Sequence, residues 1–115
     1  MNFETKRINN ITIFKLLEKR LDTNISGLVK GEITLLLKAD GTNKLIMDLS
    51  EVETCDSSGL SAILVANRII HSIGGKIRLA APSDKVQSLI KITQLDRVLS
   101  VCSTVDKAFQ ELEKE

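Results

Sequence analysis

The residues best placed to do chemistry are Asp56-Ser57-Ser58-Gly59-Leu60: a carboxylate, two hydroxyls and a glycine in a row. Before them runs Leu45-Ile46-Met47-Asp48-Leu49, which reads as a buried strand. After them, residues 61–73 are apolar at helical spacing. The stretch therefore sits at a strand-to-helix junction. At a helix start the backbone N–H groups point outward and the dipole favours negative charge. This is a place where a phosphate can be bound, or attached to a hydroxyl.

Catalysis by the serines themselves fails on distance. A nucleophilic serine needs a base within hydrogen-bond reach. The one histidine, His71, lies 14 residues after Ser57, or roughly 21 Å along the same predicted helix at 1.5 Å per residue. No Gly-x-Ser-x-Gly elbow, phosphate-binding Gly-x-x-x-x-Gly-Lys-Ser/Thr loop or dinucleotide Gly-x-Gly-x-x-Gly occurs. Two cysteines and one histidine at scattered positions make no metal set. Asp48 and Asp56 are carboxylates that acid–base chemistry could use, but Asp48 better ends a strand and Asp56 better caps a helix. We expect no catalytic residues, no cofactor and no metal.

The elements that must hold the motif follow from periodicity. Residues 3–7 alternate weakly, as an edge strand does, and Asn9-Asn10 marks a turn. Residues 11–17 form a second strand candidate. Asp22, Thr23 and Asn24 offer cap chemistry for a helix carrying Ile25, Leu28, Val29, Ile33 and Leu36. Gly27 and Gly31 weaken it by about 1 kcal/mol each, and Asp40-Gly41-Thr42-Asn43 ends it. Residues 44–49 are a central strand, apolar on both faces. The long helix after the motif stops at Gly74-Gly75. Residues 76–80 are a fourth strand, and Pro82-Ser83-Asp84 opens a helix with Val86, Leu89 and Ile90 on one face. Residues 98–102 are a fifth strand. Ser103-Thr104 caps a last helix with Val105, Ala108, Phe109 and Leu112. This alternation predicts one α/β domain over residues 1–115: a mixed, mostly parallel five-stranded sheet packed against about four helices.

On the long helix, Ala62, Ile63, Ala66, Ile69, Ile70 and Ile73 share an arc of about 120° and should face the sheet. Ser61, Asn67, Arg68, His71 and Ser72 fall opposite. Leu60 and Leu64 also point outward on this wheel, with Ser57 one turn above Leu60 and Ser58 near the core boundary. Single exposed leucines are common, so the outward pair is either incidental or a small docking stripe headed by Ser57.

Composition bounds the function classes. Apolar residues make up 43% of the chain, so the core is built of Leu, Ile and Val. Sixteen basic and 15 acidic residues give a net charge of +1, no electrostatic footprint for nucleic acid or an anionic membrane. No apolar run reaches the roughly 18–20 residues that span a bilayer, and the N-terminus lacks a signal-peptide core. Cys55 and Cys102 sit in apolar surroundings and read as buried free thiols. A cytoplasmic protein, a monomer with no direct membrane insertion, is expected.

In this order of elements the chain resembles the STAS family, and within it the bacterial anti-sigma factor antagonists. The resemblance rests on Leu45-Ile46-Met47-Asp48-Leu49-Ser50-Glu51-Val52 running into Asp56-Ser57-Ser58-Gly59-Leu60. It continues in Gly74-Gly75-Lys76-Ile77-Arg78-Leu79, in Ile92-Thr93-Gln94-Leu95-Asp96-Arg97-Val98 and in Thr104-Val105-Asp106-Lys107-Ala108-Phe109. It implies a partner-switching regulator. The unphosphorylated form would bind an anti-sigma factor that is also a serine kinase, phosphorylation would release it, and a serine phosphatase would reset it. The acceptor maps onto Ser57. The implied partner face comprises Asp22, Asp56, Ser57, Ser58, Gly59, Leu60, Ser61, Leu64 and Arg68, with Gly59 keeping the approach open. Lys19-Arg20-Leu21-Asp22 stands where the family has Gly-Glu-Leu-Asp, so Asp22 is kept and the local charge is reversed. Another branch of the family implies a different role, an unphosphorylated subunit or regulatory module of an ABC-type lipid or solute transport system.

Overall fold

The computed structural model describes residues 1–39 and 41–115; Asp40, assigned above to a helix end, lies outside the described residues. Strands β1 (Phe3–Ile8) and β2 (Ile11–Leu16) form an antiparallel hairpin. Asn9 and Asn10 turn it with φ of 50° and 62°, the left-handed pair that a tight hairpin needs and asparagine tolerates. A two-residue strand, β3 (Arg20–Leu21), leads into α1 (Thr23–Ala39). Then come β4 (Lys44–Asp48), β5 (Thr54–Cys55), α2 (Ser57–Ser72), β6 (Lys76–Ala80), α3 (Asp84–Ile92), β7 (Val101–Cys102) and α4 (Val105–Glu113).

The main sheet runs β1-β2-β4-β6-β7, parallel throughout except for the β1–β2 pair. Central β4 sends alternate residues to opposite faces. Leu45 and Met47 join Phe14, Leu79, Val29, Ile33, Ile63 and Ile70 in the larger core, under α1 and α2. Ile46 joins Ile11, Ala80, Cys102, Ala108 and Leu112 in a smaller core under α4. The expected sheet, four helices and glycine stop after α2 are all present. Gly74, at φ +74°, closes α2 with bonds from Gly74 N–H to His71 O and Gly75 N–H to Ile70 O, the left-handed ending that spares a side chain.

Some elements differ from the sequence reading. The fifth strand shrinks to Val101–Cys102, because a 3₁₀ turn at Leu95–Arg97 takes the Val98 and Leu99 amides onto Leu95 O and leaves Val98 exposed. A second, two-stranded parallel sheet pairs β3 with β5; two residues carry no readable period. On α2, Leu60 is only 5% exposed and Leu64 is half-buried, packed on the larger core. Their outward placement on the wheel is therefore corrected. The wheel measures direction relative to the main sheet, whereas the first turn of α2 is also roofed by β3 and α1. Asn67, also placed outward on the wheel, is buried, its Oδ1 without a hydrogen-bond partner among the described residues, while Ile73 at the helix end is exposed. Leu28, placed on the apolar stripe of α1, is instead exposed. Cys102 is a buried free thiol as expected; Cys55 is half-buried.

Candidate phosphoacceptor site at a shared helix cap

The short β3–β5 pair sets the site. Leu21 lies opposite Cys55, and the Asp56 amide donates to Leu21 O at 3.2 Å. This brings the first residue of α1, Thr23, beside the residue that precedes α2. Asp56 then caps both helices. Its Oδ1 accepts from the Gly59 amide at 2.9 Å, the usual cap bond of α2. Its Oδ2 accepts from the Thr23 amide and the Thr23 hydroxyl, each at 3.3 Å. Asp22 supplies a local cap to α1, with Oδ1 accepting from the Asn24 amide at 3.0 Å. Two helix dipoles thus converge, positive ends first, on one carboxylate and its neighbour Ser57.

The carboxyl of Asp56 is held below the usual aspartate range, chiefly by the Gly59 amide and further by the Thr23 amide and hydroxyl. Beside it, burial and the Asp56 charge push the Cys55 thiol up to about 11. At neutral pH Cys55 is therefore protonated, the wrong form for a nucleophile. Its Sγ donates to Asp56 O at 3.3 Å.

The adjacent serines separate as the wheel indicated. Ser57 is the first residue of α2 and exposed, with no side-chain hydrogen bond among the described residues. Ser58 is half-buried, its Oγ 3.2 Å from Thr23 Oγ1. Gly59 has a different role from the one expected. It is buried, and a Cβ there would overlap Leu21 O and lie 2.8 Å from Cys55 Sγ. Glycine is required for α2 to approach β3, not to clear a path for a partner. Leu60 lies under the surface rather than on it. Of the remaining face residues, Arg68 is exposed, and Asp22, Ser61 and Leu64 are partly exposed. His71 is exposed near the far end of α2, away from Ser57.

Thr23 is the residue that sequence reading assigned too small a role. As cap chemistry it was visible; its bond to a carboxylate 33 positions away was not. Lys19 is fixed to the same region, its carbonyl accepting from the amides of Glu53 and Thr54 at 2.7 and 3.1 Å. Arg20 pairs in register with Thr54. Two exposed cations therefore border the start of α2.

Among the described residues no cluster of metal-ligating side chains occurs, and no helix is long and apolar enough to cross a membrane. Comparison with known proteins gives the motif its context. A Thermotoga maritima protein, named provisionally as an anti-sigma factor antagonist, is 35% identical over 74 residues. These are 64% of this chain and 66% of that protein, so the match spans just under two thirds of the relative's length. The anti-sigma F factor antagonist of Paenibacillus polymyxa is 24% identical over 113 residues, 98% of this chain and 96% of that one. A crystal structure of an antagonist from T. maritima, its name equally provisional, superposes with a TM-score of 0.87 at 29% identity, covering 96% of this chain and 94% of the other. The family model for the STAS domain matches residues 2–108. With that match running from the hairpin through both capped helices into α4, the chain belongs to the STAS domain family.

Proposed function

We propose that this protein is an anti-sigma factor antagonist switched by phosphorylation of Ser57. The observation that carries the reading is an exposed serine hydroxyl at the point where two helix starts share one carboxylate. The names of its Thermotoga and Paenibacillus relatives support the class of partner. In the unphosphorylated state, the face formed by Ser57, Ser61, Leu64 and Arg68, edged by Asp22, Asp56 and Ser58, docks an anti-sigma factor that is also a serine kinase. Gly59 and Leu60 back this face from below.

In the switching step Ser57 Oγ attacks the γ-phosphorus of ATP held by the kinase. The Oγ–P bond forms, the bond to the β-phosphate oxygen breaks, ADP leaves and the serine proton passes to the kinase. This chain supplies the acceptor and its positioning; the base and nucleotide site belong to the partner. The phosphoserine adds about −1.5 to −2 charge at pH 7. The helix N-terminus accommodates that charge, so the fold persists. The docked partner does not: it would bury the phosphate beside Asp56 without a counter-charge, at a cost of several kcal/mol. That is about a hundredfold or more in affinity. A serine phosphatase restores the binding form.

Intact-mass measurement after incubation with candidate kinases and ATP tests the assignment. One added phosphate should map to Ser57 and vanish in Ser57→Ala, which should bind the kinase without being released. Ser57→Asp should stay folded and bind at least about a hundredfold more weakly. Equal affinity of wild type and Ser57→Asp would refute the switch. No phosphate from any candidate kinase would favour the transport-subunit role.

A further inference from the structure

Outside the Ser57 face, the solvent side of α1 is built in a way the fold does not explain. Leu28 and Leu35 are 53% and 60% exposed. Beside them on the same face lie Gly27 and Gly31, where an added Cβ would meet nothing within 4 Å. Glycine mid-helix is unfavourable relative to almost any other residue, and here no packing inside the chain requires it. These four residues fall within an arc of about 100° on the helix, with Lys30 and Glu32 bordering it on opposite sides. With Thr34, the six line a shallow groove of about 600 Å³. Neither Lys30 nor Glu32 takes part in an ion pair among the described residues.

We infer that this face is a self-association surface, occupied by α1 of a second copy of the chain lying parallel across a two-fold axis. The charges choose both occupant and orientation. A two-fold axis along the helices sets the Lys30 border of one copy against the Glu32 border of the other, and symmetry repeats the pair. An antiparallel arrangement would set Lys30 against Lys30 and Glu32 against Glu32. The glycines form a floor over which a second backbone can approach closely, as small residues four apart allow, with Leu28 and Leu35 covering each other above and below. Lys38, exposed one turn beyond Leu35, falls inside the same arc, so its two copies oppose the parallel pairing and help to keep it weak. The surface is small, so the dimer is weak and exchanges quickly. Nothing in this inference depends on phosphorylation of Ser57.

Sedimentation equilibrium of the full chain from about 10 μM to about 1 mM, the range in which small interfaces associate, is the test. A concentration-dependent monomer–dimer equilibrium is expected. Lys30→Glu and Glu32→Lys should each weaken it about tenfold, and the double exchange should restore it. Gly31→Leu should abolish it while leaving the chain folded, as circular dichroism would verify. A strict monomer up to the highest concentration overturns the inference, as does a dimer indifferent to the charge exchange. If the chain stays monomeric and Leu28→Lys impairs binding of the Ser57 kinase, the face belongs to that partner and the inference also fails.

Discussion

Helices α1 and α2 lie side by side on one face of the sheet, begin within hydrogen-bond reach of the same Asp56, and present opposite kinds of outer surface. On α2, of the leucines the wheel turns outward, Leu60 is buried and Leu64 half-buried, and the exposed positions are polar: Ser57, Arg68, His71 and Ser72. On α1 the outer leucines stay in water, with glycines beside them. Their glycines differ in the same way. Gly59 of α2 is in contact with β3 on a side where no Cβ fits, whereas Gly27 and Gly31 of α1 face open space. The difference teaches that α2 is the inner member of the pair, locked against β3, β5 and α1, and that α1 is the outer wall. An acceptor serine needs the first setting, a rigid frame around an exposed hydroxyl. A reversible contact surface needs the second.

Substitutions can break or sharpen this contrast. The largest effect is expected at Gly59→Ala. Its Cβ collides with a backbone carbonyl that cannot rotate away, and chemical denaturation should show a loss of about 3 kcal/mol or more. Leu60→Ala comes next, at about 3 kcal/mol for a buried leucine, while Leu28→Ala should change stability by less than about 0.5 kcal/mol. Similar losses at the two leucines would erase the inner–outer distinction.

Asp56→Ala removes one cap from each helix and should lower the melting temperature at neutral pH. Because the folded-state carboxyl is held below its ordinary value of 3.8, its contribution is present above that pH and disappears as pH falls through the folded value. Melts of wild type and variant should therefore converge below about pH 4. One further effect has the opposite sign. Gly31→Ala should stabilise the monomer by about 1 kcal/mol, measured at a concentration low enough to keep the chain monomeric.

What was legible in the sequence were features with a period or a local rule. The nearly continuous apolar run of β4, the apolar face of α4, the Asn9-Asn10 turn and the cap at Asp56 each depend on residues a few positions apart. The separation of Ser57 from Ser58 was legible for the same reason. The β3–β5 pair was not, because two residues give no pattern. Everything that rests on it was hidden too: the bond from Thr23 to Asp56, the close packing at Gly59 and the burial of Leu60. Leu28 misled in the other direction, since an apolar residue at the edge of a helical stripe carries no mark of whether a neighbour covers it.

The sequence by itself determined the order of the elements, the strand-to-helix position of the Asp56-Ser57-Ser58-Gly59 motif and the 14-residue separation of His71 from Ser57. These follow from spacing along the chain, which folding does not alter. Only the tertiary structure decided that one carboxylate caps two helices, that α2 is sealed and that α1 is left open. Those are questions of which surfaces meet across long separations, and a burial direction defined by one sheet cannot answer for a helix that packs against several elements.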